Sequence, residues 1–177
     1  MQKNSTVSVS GSPVFVGLDV HKAFIQVAVH DPCVREVSEW REAHTDAGVC
    51  RLVKVLQREF AGRPVQICYE AGPTGYELSR HLNAENGMIC SVIAPSLIPR
   101  KPGERVKTDR RDARKLAELL GAGLLTEVHE PSPEDEARRE VSRARGAAQD
   151  DVKRAKQRLG KFLLRQSRRY PGKSPWT

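Results

Sequence analysis

None of the apolar runs in this sequence approaches the ~20 residues that a membrane-spanning helix requires. No transmembrane segment is therefore expected. The opening residues 1–13 are polar and rich in Ser and Gly, without the apolar core of a signal peptide, and are expected to form a loose leader. Cysteine is sparse: Cys33, Cys50, Cys68 and Cys90 are widely spaced with no CxxC pair, so neither a zinc site nor a disulfide framework is indicated. Each lies in an apolar context and is expected to be a core thiol in a reducing, cytoplasmic setting. Aromatic residues make up only 5% of the chain, which excludes stacking on single-stranded bases as the main mode of recognition. No glycine-rich phosphate loop is present, which argues against a nucleotide-binding kinase.

What is abundant is positive charge, and it is unevenly placed. Residues 1–137 carry 17 Lys+Arg against 19 Asp+Glu, a balance of −2, whereas residues 138–177 carry 13 against 3, a balance of +10. A basic block confined to one element is the electrostatic footprint of a polyanion such as nucleic acid, although a solvated helix face has the same composition.

The hydrophobic pattern predicts an α/β core followed by one long helix. Val14, Val16, Leu18 and Val20 alternate with Phe15, Gly17 and Asp19, the period of a strand. Residues 23–30 form a second such run across a turn at His21-Lys22, and residues 33–40 a third, closed by Trp40. Thr45 is placed to cap a helix running to about Phe60, stopped by Gly62 and Pro64. Val65–Glu70 and 88–94 read as buried strands, separated by a helix near 75–86 that Gly87 ends. This order implies an antiparallel meander joined to parallel strands. Residues 95–108 form a basic, proline-rich loop, and a helix spans 109–120 with Ala113, Leu116, Ala117 and Leu120 on its apolar side. After a linker at 130–133, residues 134–168 place Val141, Ala144, Ala148, Val152, Ala155, Leu159 and Phe162 three and four apart, the narrow seam of a coiled coil and a candidate surface for homo-oligomers. The tail 169–177 has no closing element and reads as truncated.

Four carboxylates stand out against this frame. Asp19 sits late in an apolar strand, where a buried charge costs several kcal/mol unless it is compensated, and Glu70 ends another. Asp109 and Asp112 lie three apart at a helix start, on one face. Taken singly, each has an ordinary reading: a water-facing hairpin residue for Asp19, a helix cap for Asp109, a dipole partner for Asp112. Together they suit Mg²⁺, with Mn²⁺ as an alternative, and phosphoryl-transfer chemistry. His21, beside Asp19, is placed to orient a ligand or phosphate.

The runs Gly17-Leu18-Asp19-Val20-His21-Lys22, Tyr69-Glu70-Ala71-Gly72-Pro73-Thr74-Gly75-Tyr76 and Lys107-Thr108-Asp109-Arg110-Arg111-Asp112-Ala113 resemble the DEDD-type insertion-sequence transposases, a family that includes the pilin-gene invertase. The similarity runs from about Val14 to Trp176. It implies a RuvC-like member of the RNase H fold over 14–130, an acidic tetrad of Asp19, Glu70, Asp109 and Asp112 as metal-binding catalytic groups, and a coiled-coil segment over 134–168. It further implies DNA as substrate, a structured guide RNA as partner, a prokaryotic, nucleoid-associated location, and a C-terminal serine domain that this sequence lacks. Ser167 and Ser174 match no part of the serine motif. Candidate nucleic-acid contacts are Lys22, Arg100, Lys101, Lys107, Arg110, Arg111, Arg154, Lys156, Arg158, Arg165, Arg168 and Arg169. Two other readings use the same residues: a non-catalytic binding and dimerisation module, and a junction-resolving nuclease that needs only the tetrad.

Overall fold

Strand alternation at the start of the chain builds a five-stranded mixed sheet in the computed structural model, which describes residues 11–34, 37–99 and 108–172. The leader up to residue 10, the basic positions Arg100, Lys101 and Lys107, and the tail from residue 173 lie outside the described residues. The chain divides into two compact units, one ending at Glu130 and one beginning at Pro131.

In the first unit, β1 (Val14–Val20), β2 (Phe24–His30) and β3 (Ser38–Ala43) form the antiparallel meander. Strand β4 (Val65–Glu70) then pairs parallel with β1, and β5 (Met88–Ile93) parallel with β4, giving the order β3-β2-β1-β4-β5. Helix α1 (Asp46–Glu59) starts where Thr45 Oγ1 accepts from Gly48 N at 3.2 Å. Its stripe Val49, Leu52, Val53 and Leu56 packs with Val14, Val16 and Leu18 of β1 and with Leu78 and Leu82 of α2 (Glu77–Asn83) in one core. Burial of each such side chain is worth about 1.5–3 kcal/mol. After α1 the chain turns at Gly62, whose φ of 78° suits a residue without a Cβ.

The alternate residues of the strands face the opposite layer. There Cys68 and Ile93 pack on Leu116 of α3 (Asp109–Gly121). Gly17 of β1 lets this helix approach: a Cβ at Gly17 would lie 2.0 Å from the Ala113 carbonyl oxygen and 2.6 Å from the Ala117 nitrogen. At the far end of the helix, Gly121 faces the Phe15 ring, so α3 runs antiparallel to β1 with its N-terminus at the carboxyl end of the strand. A mixed sheet of this order with helices on both faces, followed by a long helix, is the RNase H-like α/β fold.

Several details differ from the sequence reading. The third strand starts later and runs on to Ala43, so Trp40 lies inside it and not at its end. The second helix is only seven residues long. Pro95–Leu97 of the expected loop forms a 3₁₀ turn. Cys33 and Cys50 are exposed, which corrects their assignment to the core: Cys33 is in a turn and Cys50 on the outer side of α1. Cys68 and Cys90 are buried; burial pushes the Cys68 thiol strongly up and the Cys90 thiol up to about 12, so both stay protonated.

The second unit contains α4 (Pro133–Arg165), capped by Ser132, whose Oγ accepts from Asp135 N at 3.1 Å. It begins one residue before and ends three residues before the predicted bounds. None of its residues is buried. No described helix is long and apolar enough to cross a membrane.

Candidate metal and nucleic-acid site

Sheet register determines which polar groups meet. Asp19 of β1 is paired with Gln26 of β2, and Gln26 with Arg41 of β3, so the three form one row across the meander. They share a face with Gly17, the face covered by α3, because side chains alternate along a strand. On the other side of β1 the last pair with β4 is Leu18 with Tyr69. One step beyond it, Asp19 and Glu70 stand at the carboxyl ends of adjacent parallel strands, where open α/β sheets gather ligands.

Helix α3 brings the other carboxylates from 90 residues further along the chain. Its N-cap is Thr108, whose Oγ1 accepts from Arg111 N, and this leaves the Asp109 side chain free of capping duty. Asp109 turns instead towards Asp19 and His21. His21 Nε2 lies 3.1 Å from Asp19 Oδ2 and 3.5 Å from Asp109 Oδ1. One ligand atom each from Asp19, His21 and Asp109 falls within 4.8 Å of the others. Two carboxylate oxygens and an imidazole nitrogen at that spacing could together hold a single divalent cation.

His21 is rigidly placed. Its N–H donates to Phe24 O at 2.9 Å to close the hairpin, its carbonyl accepts from His44 Nδ1 at 2.7 Å, and its ring lies 4.6 Å from that of Phe24. Burial pushes the Asp19 carboxyl up, His21 pulls it down, and the negative charges of Asp109 and Asp112 add to the rise. The negative charges at this end of the sheet therefore repel one another across Asp19, and a cation would relieve that repulsion.

The other two tetrad residues stand differently. Asp112 acts on Asp19 electrostatically but does not belong to the 4.8 Å group, and neither does Glu70, which is exposed. The loop after Glu70 is tied down where Tyr69 Oη donates to Gly75 O at 3.1 Å.

Sequence reasoning missed Arg41. Its Nη2 reaches Asp109 Oδ2 at 3.4 Å, its Nε donates to Gln26 Oε1 at 3.4 Å, and its guanidinium lies 3.9 Å from the centroid of the Phe24 ring. Period-2 alternation would have found it, had the third strand been continued past Trp40.

Among the proposed nucleic-acid contacts, Lys22 is exposed on the hairpin turn and Arg111 on α3. Arg110 is drawn 3.5 Å from Glu39, which also pairs with Arg114 at 2.7 Å. On α4, Arg154 pairs with Asp151 at 2.6 Å; Arg158 and Arg165 are exposed on the helix, as are Arg168 and Arg169 beyond its end, and Lys156 is partly covered.

Comparison with known proteins is consistent with these features. A family model described as Transposase, of the DEDD insertion-sequence type, matches residues 16–167. The chain is 47% identical over 165 residues to y4qE of Sinorhizobium fredii, which carries a transposase name; the match covers 92% of this chain and 42% of that protein. It is 39% identical over 167 residues to the transposase for insertion sequence element IS1533 of Leptospira borgpetersenii, covering 93% of this chain and 47% of that one. The chain thus spans less than half the length of these two relatives.

Proposed function

Since the chain belongs to the DEDD-type insertion-sequence transposase family, we propose that it supplies the metal-binding, RuvC-like part of a transposase or site-specific recombinase that cleaves and transfers DNA phosphodiesters. The observation that carries the proposal is the meeting of Asp19, His21 and Asp109 at the carboxyl end of β1. Asp112 and Glu70 stand in support, Asp112 one turn along α3 and Glu70 at the end of the neighbouring strand. In this reading Asp19, Glu70, Asp109 and Asp112 hold Mg²⁺, or Mn²⁺ in its place. Divalent ions held there would stabilise negative charge developing on the oxygens of a phosphodiester. The chain's own residues do the positioning: Gly17 seats α3, Thr108 frees Asp109 from capping, and the pinned backbone of His21 fixes the imidazole beside both carboxylates.

The basic residues serve backbone contact. Lys22 and Arg111 flank the acidic residues in sequence, Arg100, Lys101 and Lys107 precede Asp109, and the α4 cations Arg154, Lys156, Arg158 and Arg165, with Arg168 and Arg169, suit phosphates of DNA or of a structured guide RNA. The exposed seam of Val141, Val152, Leu159 and Phe162 supports self-association through α4. A chain acting on DNA in this way would reside with the nucleoid in the cytoplasm.

Calorimetric titration of Mn²⁺ and Mg²⁺ into the wild-type chain and into Asp109→Asn/Asp112→Asn tests the central step. Binding to the wild type that is abolished in the double variant is the expected result. Equal weak binding to both would reduce the carboxylates to surface charges and favour the non-catalytic binding module. In that case duplex affinity would be untouched by the double variant and would fall with salt by roughly 0.9 log units per log unit of salt for each phosphate neutralised.

A further inference from the structure

The geometry points to Arg41 as a positioning residue of the acidic site: a cation seated at its rim that holds the Asp109 carboxylate while no ion is bound and yields it when one enters. The inference rests on the metal-binding reading above. Three independent features carry it. First, β-sheet register sets Arg41 in the same cross-strand row as Asp19, with Gln26 between them. That placement follows from backbone pairing and not from a surface rotamer. Second, the guanidinium is held on two further sides, by the Phe24 ring at 3.9 Å and by Gln26 Oε1 at 3.4 Å, while Gln26 itself is buried and anchored by donating to Trp40 O at 2.9 Å. An arginine whose guanidinium rests over a ring loses less freedom per hydrogen bond than a free one. Third, Asp109 is shared: Oδ1 faces His21 at 3.5 Å and Oδ2 faces Arg41 at 3.4 Å.

The cluster is thus part-neutralised by the fold. Asp109 would leave Arg41 to hold a divalent ion together with Asp19, and that ion would be bound against the guanidinium's positive charge. Arg41 therefore lowers the affinity for the ion while keeping the metal-free carboxylates from repelling one another. Both partners are substantially exposed, so the effect is modest and screened by salt.

The test uses the full chain and Mn²⁺ alone, by calorimetry and by the electron paramagnetic resonance signal of bound Mn²⁺, at low and high salt. Arg41→Gln is expected to tighten Mn²⁺ binding roughly three- to ten-fold at low salt, with the gain shrinking as salt rises. A purely structural role would act in the opposite direction, because a loosened site binds more weakly. Arg41→Lys, which keeps a charge but loses the planar fork that reaches Gln26 and Asp109, is expected to shift binding the same way by a smaller factor and carries the test if Arg41→Gln does not fold. Wild-type-like or weaker Mn²⁺ binding in the folded variants, with the wild type binding normally, overturns the role of Arg41 and leaves the metal site standing. No Mn²⁺ binding by the wild type removes the metal-binding reading and this inference with it.

Discussion

The two units of this chain treat their apolar side chains in opposite ways. In the unit ending at Glu130, Val14, Leu18, Leu52 and Leu56 are fully buried, and the sheet is covered by helices on both faces. Along α4, Val141 is 71% exposed and Phe162 is 52% exposed, although their spacing is as regular as that of α1. Periodicity alone therefore reveals a helix and its apolar side but not what covers that side. The first unit completes its own core, whereas the apolar side of α4 is left exposed.

Substitutions in each unit can break or sharpen this contrast. The largest effect is expected at Gly17, where a Cβ collides with α3 backbone atoms that cannot rotate away. Gly17→Ala should cost about 3 kcal/mol or more, read from urea unfolding followed by Trp40 fluorescence. A loss below about 1 kcal/mol would mean that α3 can lift off the strand cheaply.

A smaller effect is expected at the Asp31–Arg63 pair, which joins the end of β2 to the approach to β4. Arg63 donates from Nη1 to Asp31 Oδ2 at 2.6 Å and from Nη2 to Oδ1 at 2.8 Å, and its Nε donates to Ser12 O at 2.9 Å. The Arg63 guanidinium holds the Asp31 carboxyl down at about 2, from an ordinary 3.8. A depressed acid contributes stability that is complete above its unfolded value and is lost as pH falls towards its folded one. Asp31→Asn should therefore cost about 2 kcal/mol at neutral pH, and the gap between variant and wild type should close as pH drops from 3.8 towards 2. A gap that persists unchanged at pH 2 would assign the loss to packing.

The smallest effect belongs to the second unit. Ser132→Ala removes the cap of α4 and should cost about 1 kcal/mol, seen as faster hydrogen exchange at the Asp135 amide, with the Trp40 transition unmoved. A shift of that transition would show that the two units unfold together.

Much of the first unit was legible in the sequence because its signals agree. The bounds of β4, the Thr45 cap and the antiparallel-then-parallel strand order all follow from alternation, a capping residue and glycine stops. The site was legible in part. Asp19 stands out as a carboxylate in an apolar strand and Asp109 as one of two carboxylates three apart at a helix start, and their meeting with His21 is a product of the fold. Arg41 was missed because β3 was ended at Trp40, which turned a strand residue with a defined facing into a loop residue with none. The part played by Gly17 was missed as well, since a glycine in a strand carries no signal of what presses against it. The exposure of Cys33 and Cys50 was misjudged because apolar neighbours in sequence do not fix which way a side chain turns.

The two margins of the sheet bear on how copies of this chain can meet. Beyond β5, the stretch 126–128 runs back alongside the strand: Ala94 N donates to Thr126 O at 2.9 Å, Val128 N donates to Val92 O at 2.8 Å, and Ile93 bridges Glu127. At the opposite margin, β3 carries Glu39, Arg41 and Glu42, each engaged in an ion pair. A neighbouring copy seeking to lengthen the sheet would find the backbone at the end of β5 already used at one margin and, at the other, charges it would have to strip from their partners. The fold thus hinders strand-by-strand growth into a fibre at both margins.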